Sequence, residues 1–264
     1  SSSGHLAIFK ILFGVDTETG LLFDVLLHIG TLAAICVVYY KDVLKMIVEG
    51  IGLIRDSIIN FVRFIGNKTG RTDEPYLRLV NSSYRKLVVL IIVSTIPTGI
   101  IGVVGKDVVE MASEILLIPG ICLILTAVLL FIADHAKDGD KLPKGVTYTN
   151  AFGVGIAQGI ATLPGLSRSG TTITACLLSG FNRNFAVKYS FLMSIPAILG
   201  ALVLELKDYT AAALSGAEIA YYVVGMIVAA VVGYVCIKTM LIVVRRKKFT
   251  GFAIYCLIVG VISI

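Results

Sequence analysis

Pro164-Gly165-Leu166-Ser167-Arg168-Ser169-Gly170 sets a guanidinium, two serine hydroxyls and two glycines between long apolar runs, and Thr171 and Thr172 follow at once. A charge at the centre of a bilayer costs at least ~2.5 kcal/mol on insertion scales, so an arginine placed there pairs with an anion or lines a wet cavity. The geometry of a guanidinium suits phosphate, whose oxygens it binds two at a time. Ser167, Ser169, Thr171 and Thr172 add hydroxyls around the start of a helix, where free N–H groups favour anions. Gly165 and Gly170 let backbone come close to a ligand. The competing reading is an arginine that snorkels to the interface.

A second polar stretch, Ser1-Ser2-Ser3-Gly4-His5, places a serine three residues from a histidine. At a helix start the imidazole can take the hydroxyl proton as the oxygen attacks. Alone, the signal is weak: such serines are commonly caps, and His5 is equally well an interfacial histidine. Ser1 is not preceded by a methionine or a signal peptide, so this stretch is expected to be the remainder of a longer beginning.

The elements that hold these residues must be membrane helices. The 264 residues are 57% hydrophobic and 15% charged, with a mean hydropathy of +0.93. Runs of about 20 apolar residues follow one another with one long interruption, as in a single membrane domain over residues 1–264. The net charge of +6 is explained by cytoplasmic loops and not by a nucleic-acid partner. The five cysteines, at 36, 122, 176, 236 and 256, lie inside apolar runs without zinc-site spacing and are expected as free thiols.

Taken in order, Leu6 to Phe13 is about 12 Å of helix, half a hairpin at best, and 14–20 make a turn. Leu21 to Tyr40 is long enough to span. Nine of the 23 basic residues lie between Lys41 and Lys86, a cytoplasmic insert whose first half, Val43 to Ile65, suits a helix lying at the interface. Asn67 to Asn81 reads as a surface loop. Leu87 to Gly105 and Ile115 to Ala133 are further spans, joined by an outward turn over Lys106 to Glu114. Ala151 to Leu163 and Thr171 to Phe181 are about 20 and 16 Å long, too short to cross, and with the arginine loop between them form a re-entrant hairpin. Phe185 to Leu206 and Glu218 to Val244 span, Arg245-Arg246-Lys247-Lys248 anchors the inner side, and Phe249 to Ile264 is a last, short span.

Shifting the sequence by 166 residues lays Ser1 to Gly4 on Ser167 to Gly170, Leu12 on Leu178, Gly14 on Gly180, Leu26 on Leu192 and Ile29 on Ile195, seven identities in all. The two hairpins run in opposite directions, which makes an inverted repeat, about 1–133 and 151–264. Such repeats bring broken helices and their polar loops together near the midplane. Ser2 and His5 are therefore expected to meet Arg168. Gln158 either touches the site or, as favoured here, bonds a neighbouring helix. Asp24 and His28, one turn apart, are held outside the site. Pro97 and Pro196 are expected to kink their spans.

With both loops in hand, the chain resembles the bacterial undecaprenyl-diphosphate phosphatase family linked to bacitracin resistance, which pairs an SS(S/T)GH loop with a PG(F/L)SRSG-x-T loop. The likeness covers nearly the whole chain. It implies a multi-pass enzyme of the inner membrane that removes the terminal phosphate of a polyprenyl diphosphate, recycling the lipid carrier of cell-wall synthesis, with its site open to the outer face. By the same resemblance Ser2 is the nucleophile or His5 is, His5 is otherwise its base, and Arg168 is the diphosphate clamp. Ser167 and Thr172 lend hydrogen bonds, and Ser1, Ser3, Gly4, Gly165, Ser169, Gly170 and Thr171 complete the substrate contacts. A divalent cation, Mg or Ca, is implied as cofactor, and a homo-oligomer is possible. The family carries a glutamate-containing segment before its SS(S/T)GH loop, whereas this sequence begins after that point, so the metal ligands are unknown here.

The expectation is an all-α integral membrane protein with about six transmembrane helices and two re-entrant hairpins. The rival is a transporter or lipid flippase for an anionic substrate, because inverted repeats with crossed hairpins are transporter architecture and fold does not decide function. A serine and a histidine beside the arginine favour chemistry.

Overall fold

The computed structural model describes residues 2–13, 20–70, 72–208 and 216–264, without the side chains of 2, 3, 9, 10, 13, 20–25, 205–208 and 216–218. The Asp24 side chain and all of Ser1 therefore lie outside the described groups. The described residues form helices joined by loops: α1 Ser2–Phe13, α2 Gly20–Val38, α3 Tyr40–Lys68, α4 Ser83–Val104, α5 Lys106–Glu114, α6 Leu117–His135, a 3-10 turn Pro143–Gly145, α7 Tyr148–Ile160, α8 Arg168–Leu178, α9 Arg183–Asp208, α10 Gly216–Arg245 and α11 Thr250–Ile262.

Among the described residues, four helices are long and apolar enough to cross a membrane: α4, α6, Arg183–Leu204 of α9 and Ile219–Arg245 of α10. Apolar helix also runs over Leu26–Val38 of α2 and Thr250–Ile262. At 13 residues, α11 is about 20 Å long, short of a ~30 Å hydrocarbon core.

With lipid outside and apolar residues inside, helices gain little from hydrophobic transfer between them and instead pack through small residues. Three pairs do so. A Cβ on Gly30 of α2 would lie 2.4 Å from the carbonyl oxygen of Met226 on α10, one on Gly155 of α7 would lie 2.2 Å from that of Ser94 on α4, and one on Gly260 of α11 would lie 2.8 Å from that of Gly120 on α6. Between the pairs, a core forms around Leu90, Leu123, Ile173, Leu192 and Tyr189. The Tyr189 hydroxyl is satisfied there: it donates to the Leu90 carbonyl at 2.9 Å and lies 2.6 Å from Ser94 Oγ.

The ends of these helices are tied by charge. Asp134, at the end of α6, accepts from the backbone of Phe249 and Thr250 at 2.8 and 2.7 Å and so caps α11. Asp138 takes Arg183 at the start of α9 and Lys247 at 2.9 Å, and these hydrogen bonds hold its carboxyl below the ordinary carboxylate range. Helix α3 carries exposed apolar residues at 44, 47, 48, 51, 54, 58, 61, 62 and 65 along one face, and the loop at 72–79 lies on another through Asn60, Arg63 and Asn67. That is the amphipathic form expected of Val43 to Ile65.

Residues 106–114 differ from the expected turn. They form a helix, because Ala112 finds a buried seat while Lys106, Asp107, Glu110 and Glu114 stay exposed. The helices α4 and α9 run on through Pro97 and Pro196. All five cysteines are free.

Candidate active site

The arginine loop is built against the middle of α6. Thr126 stands nine residues from Leu117 and nine from His135, about 13 Å from either end. Its hydroxyl accepts from the Ser167 amide at 2.9 Å and donates to the Gly165 carbonyl at 3.1 Å, so one buried side chain satisfies both edges of the loop. Gly165 has φ +93°, and a Cβ there would lie 2.4 Å from the Pro119 carbonyl oxygen; only glycine fits both the conformation and the gap. Leu166 drops into a small apolar cluster with Cys122 and Ala161.

Helix α8 starts from this loop. Ser167 is its cap, with Oγ accepting from the Gly170 amide at 3.1 Å. Gly170 is buried where a Cβ would press on Ser167 and Leu130. The Thr172 hydroxyl donates back to the Arg168 carbonyl at 2.8 Å and lies 2.5 Å from Ser190 Oγ of α9, so it is committed to helix packing. Thr171 is also buried, yet its hydroxyl has no hydrogen-bond partner among the described residues. Ser169 is half-buried and faces a cavity.

Arg168 is half-buried, and its guanidinium makes no hydrogen bond or ion pair among the described residues. It sits beside Ser167, which Thr126 holds at the mid-depth of α6. A cation at that depth is tolerable where an anion or water meets it.

The first loop comes to the second across 161 residues of chain. Gly4, in the first turn of α1, is buried so tightly that a Cβ would lie 2.4 Å from Gly165 Cα. His5, next to it, places Nε2 2.8 Å from the Tyr255 hydroxyl of α11, with the two rings stacked at 5.6 Å between centroids. The first turn of α1 thus lies against the loop that leads into α8. The N-termini of both helices carry partial positive charge, and with Arg168 they make the locus favourable to an anion. The side chains of Ser2 and Ser3, and all of Ser1, lie outside the described residues.

Gln158 bonds a neighbouring helix, as favoured from the sequence: Nε2 donates to Thr98 Oγ1 at 3.3 Å. Two residues of the site are not singled out by the sequence, Thr126 and Tyr255. Thr126 has a signal, since it is the one serine or threonine in α6. Tyr255 has none, as aromatic residues in apolar helices are common. For a divalent cation, no group of three or more His, Cys, Asp or Glu side chains occurs among the described residues. The described residues by themselves offer no such set of ligands, and no step below passes through a metal.

The fold and this locus define a helical multi-pass membrane protein with a polar, anion-receptive loop pair inside its bundle. The chain belongs to the family described as Bacitracin resistance protein BacA, which matches residues 1–262. It is similar to the undecaprenyl-diphosphatase of Methanosphaera stadtmanae, 38% identical over 264 residues, or 100% of this chain and 90% of that protein. The undecaprenyl-diphosphatase of Alkaliphilus metalliredigens is 39% identical with the same coverage, and that of Treponema denticola is 39% identical over 98% of this chain and 88% of its own.

Proposed function

We propose that this chain is an undecaprenyl-diphosphatase: it hydrolyses the terminal phosphate of undecaprenyl diphosphate to give undecaprenyl phosphate and inorganic phosphate. The observation that carries the reading is the Arg168 guanidinium, unpartnered among the described residues and set at the start of α8 beside the Gly4–Gly165 contact. The relatives' activity supplies the substrate.

Arg168 binds the diphosphate oxygens, and the N-termini of α1 and α8 face the same charge. An oxygen of Ser2 attacks the terminal phosphorus as the bridging P–O bond breaks, and His5 takes the hydroxyl proton. The leaving group is undecaprenyl phosphate. Water then cleaves the serine ester, releasing phosphate and restoring the hydroxyl. In the alternative assignment His5 itself attacks. Either way Tyr255 holds the imidazole. Ser167 and Thr172 support the loop, which leaves Ser169 and the Thr171 hydroxyl nearer to ligand.

The same reading takes the chain as one membrane domain with six spans, two re-entrant hairpins related by an inverted repeat, a cytoplasmic insert over 41–86 and a site opening to the outer face of the plasma membrane. The opposite hairpins meeting at Gly4 and Gly165 support it. A divalent cation, Mg or Ca, is required in this proposal, although none of the described residues is assigned to it.

The test is phosphate release from a polyprenyl diphosphate with Mg²⁺ by the full-length protein. Loss of turnover in Arg168→Ala and Ser2→Ala is expected. Turnover unchanged in both sinks the assignment and leaves binding without chemistry, as in a transporter.

A further inference from the structure

Ser169, the residue after Arg168, forms one wall of a cavity of about 200 Å³. Ile35 of α2, Phe191 of α9 and Gly233, Cys236 and Ile237 of α10 form most of the rest. None of the residues around it is charged. The hydroxyl of Thr31, also at its edge, is turned to the His28 carbonyl of its own helix at 2.9 Å. Cys236 is exposed on the outer surface of α10, the most exposed of the four crossing helices, with 11% of its apolar window buried against 33–44% for the others. The cavity therefore runs from the polar loop to a surface suited to lipid.

We infer that this cavity receives the first isoprenoid units of the substrate, so that the polyprenyl chain leaves the site past Cys236 along the exposed face of α10. The inference rests on the phosphatase reading. A diphosphate held by Arg168 has its chain covalently attached, and an isoprenoid chain has no group that can hydrogen-bond. Elsewhere the same stretch is packed on protein: Gly165 on Pro119 and Gly4, Gly170 on Leu130, and Thr172 on Ser190. At Ser169 the chain adjoins an uncharged apolar space.

Cys236→Phe fills the cavity from its lipid side. With full-length protein in detergent, kcat/KM is measured for undecaprenyl diphosphate and for isopentenyl diphosphate, which carries one isoprenoid unit. The ratio of long to short is expected to fall about tenfold in Cys236→Phe, the scale on which apolar pockets discriminate. A ratio within about twofold of the unsubstituted protein overturns the inference while leaving the phosphatase reading intact. A second measurement needs no variant: maleimide labelling of Cys236, located by peptide mass spectrometry, is expected to slow with undecaprenyl phosphate and not with inorganic phosphate. Equal labelling with and without the prenyl phosphate overturns the inference even if Cys236→Phe does not fold. No phosphate release from either substrate by the unsubstituted protein removes the phosphatase reading instead, and the labelling then decides whether the cavity holds a prenyl chain.

Discussion

Arg85 and Arg168 both stand in the first turn of a helix, α4 and α8, and their surroundings are opposite. Arg85 donates from Nε to Glu49 at 2.9 Å and from Nη1 to Asp56 at 2.6 Å and to the Leu79 carbonyl at 3.0 Å. Gly52 gives it room, since a Cβ there would lie 2.9 Å from Nη2. Those bonds clamp α3 to α4, and the hydrogen bonds from Arg85 and Arg55 hold the Asp56 carboxyl below the ordinary carboxylate range against the opposing effect of burial. Arg168 has a cap beneath it, a glycine contact beside it and no carboxylate among the described residues. Arginine in a helical bundle is thus used in two ways: Arg85 has its anions built in, whereas Arg168 is kept in place by its backbone and left for an anion from outside.

The strongest test of that contrast is Arg168→Ala. Turnover of undecaprenyl diphosphate is expected to fall by about 10²–10³-fold, as when a preorganised charge-stabilising donor is removed, with the unfolding temperature little changed. Arg168→Lys is expected to recover only part, because an ammonium does not make the bidentate contact. A loss of fold in place of activity would put Arg168 in the same class as Arg85.

Thr126→Val comes next. It strands the Ser167 amide and the Gly165 carbonyl, a cost of about 1–3 kcal/mol, and about a tenfold drop in kcat/KM is expected. Thr126→Ser keeps the hydroxyl and should restore most of it. If Thr126→Ser falls as far as Thr126→Val, the hydroxyl by itself does not hold the loop.

Arg85→Ala is expected to do the reverse of Arg168→Ala: thermal stability drops, while turnover per folded molecule stays within about threefold, because a clamp between α3 and α4 touches no substrate. The smallest effect is one of pH. Because the folded Asp56 carboxyl is depressed, its stabilisation is present above the unfolded carboxylate value of about 3.9 and is lost as pH falls through the folded value. Asp56→Asn should therefore be less stable than the unsubstituted protein at pH 7, with the gap closing below about pH 4, as read by hydrogen exchange in α3. A gap independent of pH would show that charge is not what the clamp uses.

Much of this was legible in the residues. Apolar runs of about 20 residues marked α4, α6, α9 and α10, since hydropathy depends on a residue and its near neighbours. The short apolar stretches around Arg168 marked α7 and α8, and the cost of a buried guanidinium marked the loop between them. Seven identities at a shift of 166 brought the Ser1 to Gly4 stretch to it, and Gly4 does lie on Gly165. The charged run over 106–114 misled, because three acids hid the helical placement of Ala112.

What only the tertiary structure decided is which atoms meet. The Thr172 hydroxyl, offered to substrate in the sequence, is taken by Ser190, whereas Thr171 beside it is left without a partner among the described residues. His5 meets Tyr255 across 250 residues, and Thr126 holds a loop 39 to 41 residues away. Hydrogen bonds are short and directional, so their partners follow from which helices pack and at what height, and that is set by glycine contacts such as Gly120 with Gly260 that no local pattern encodes.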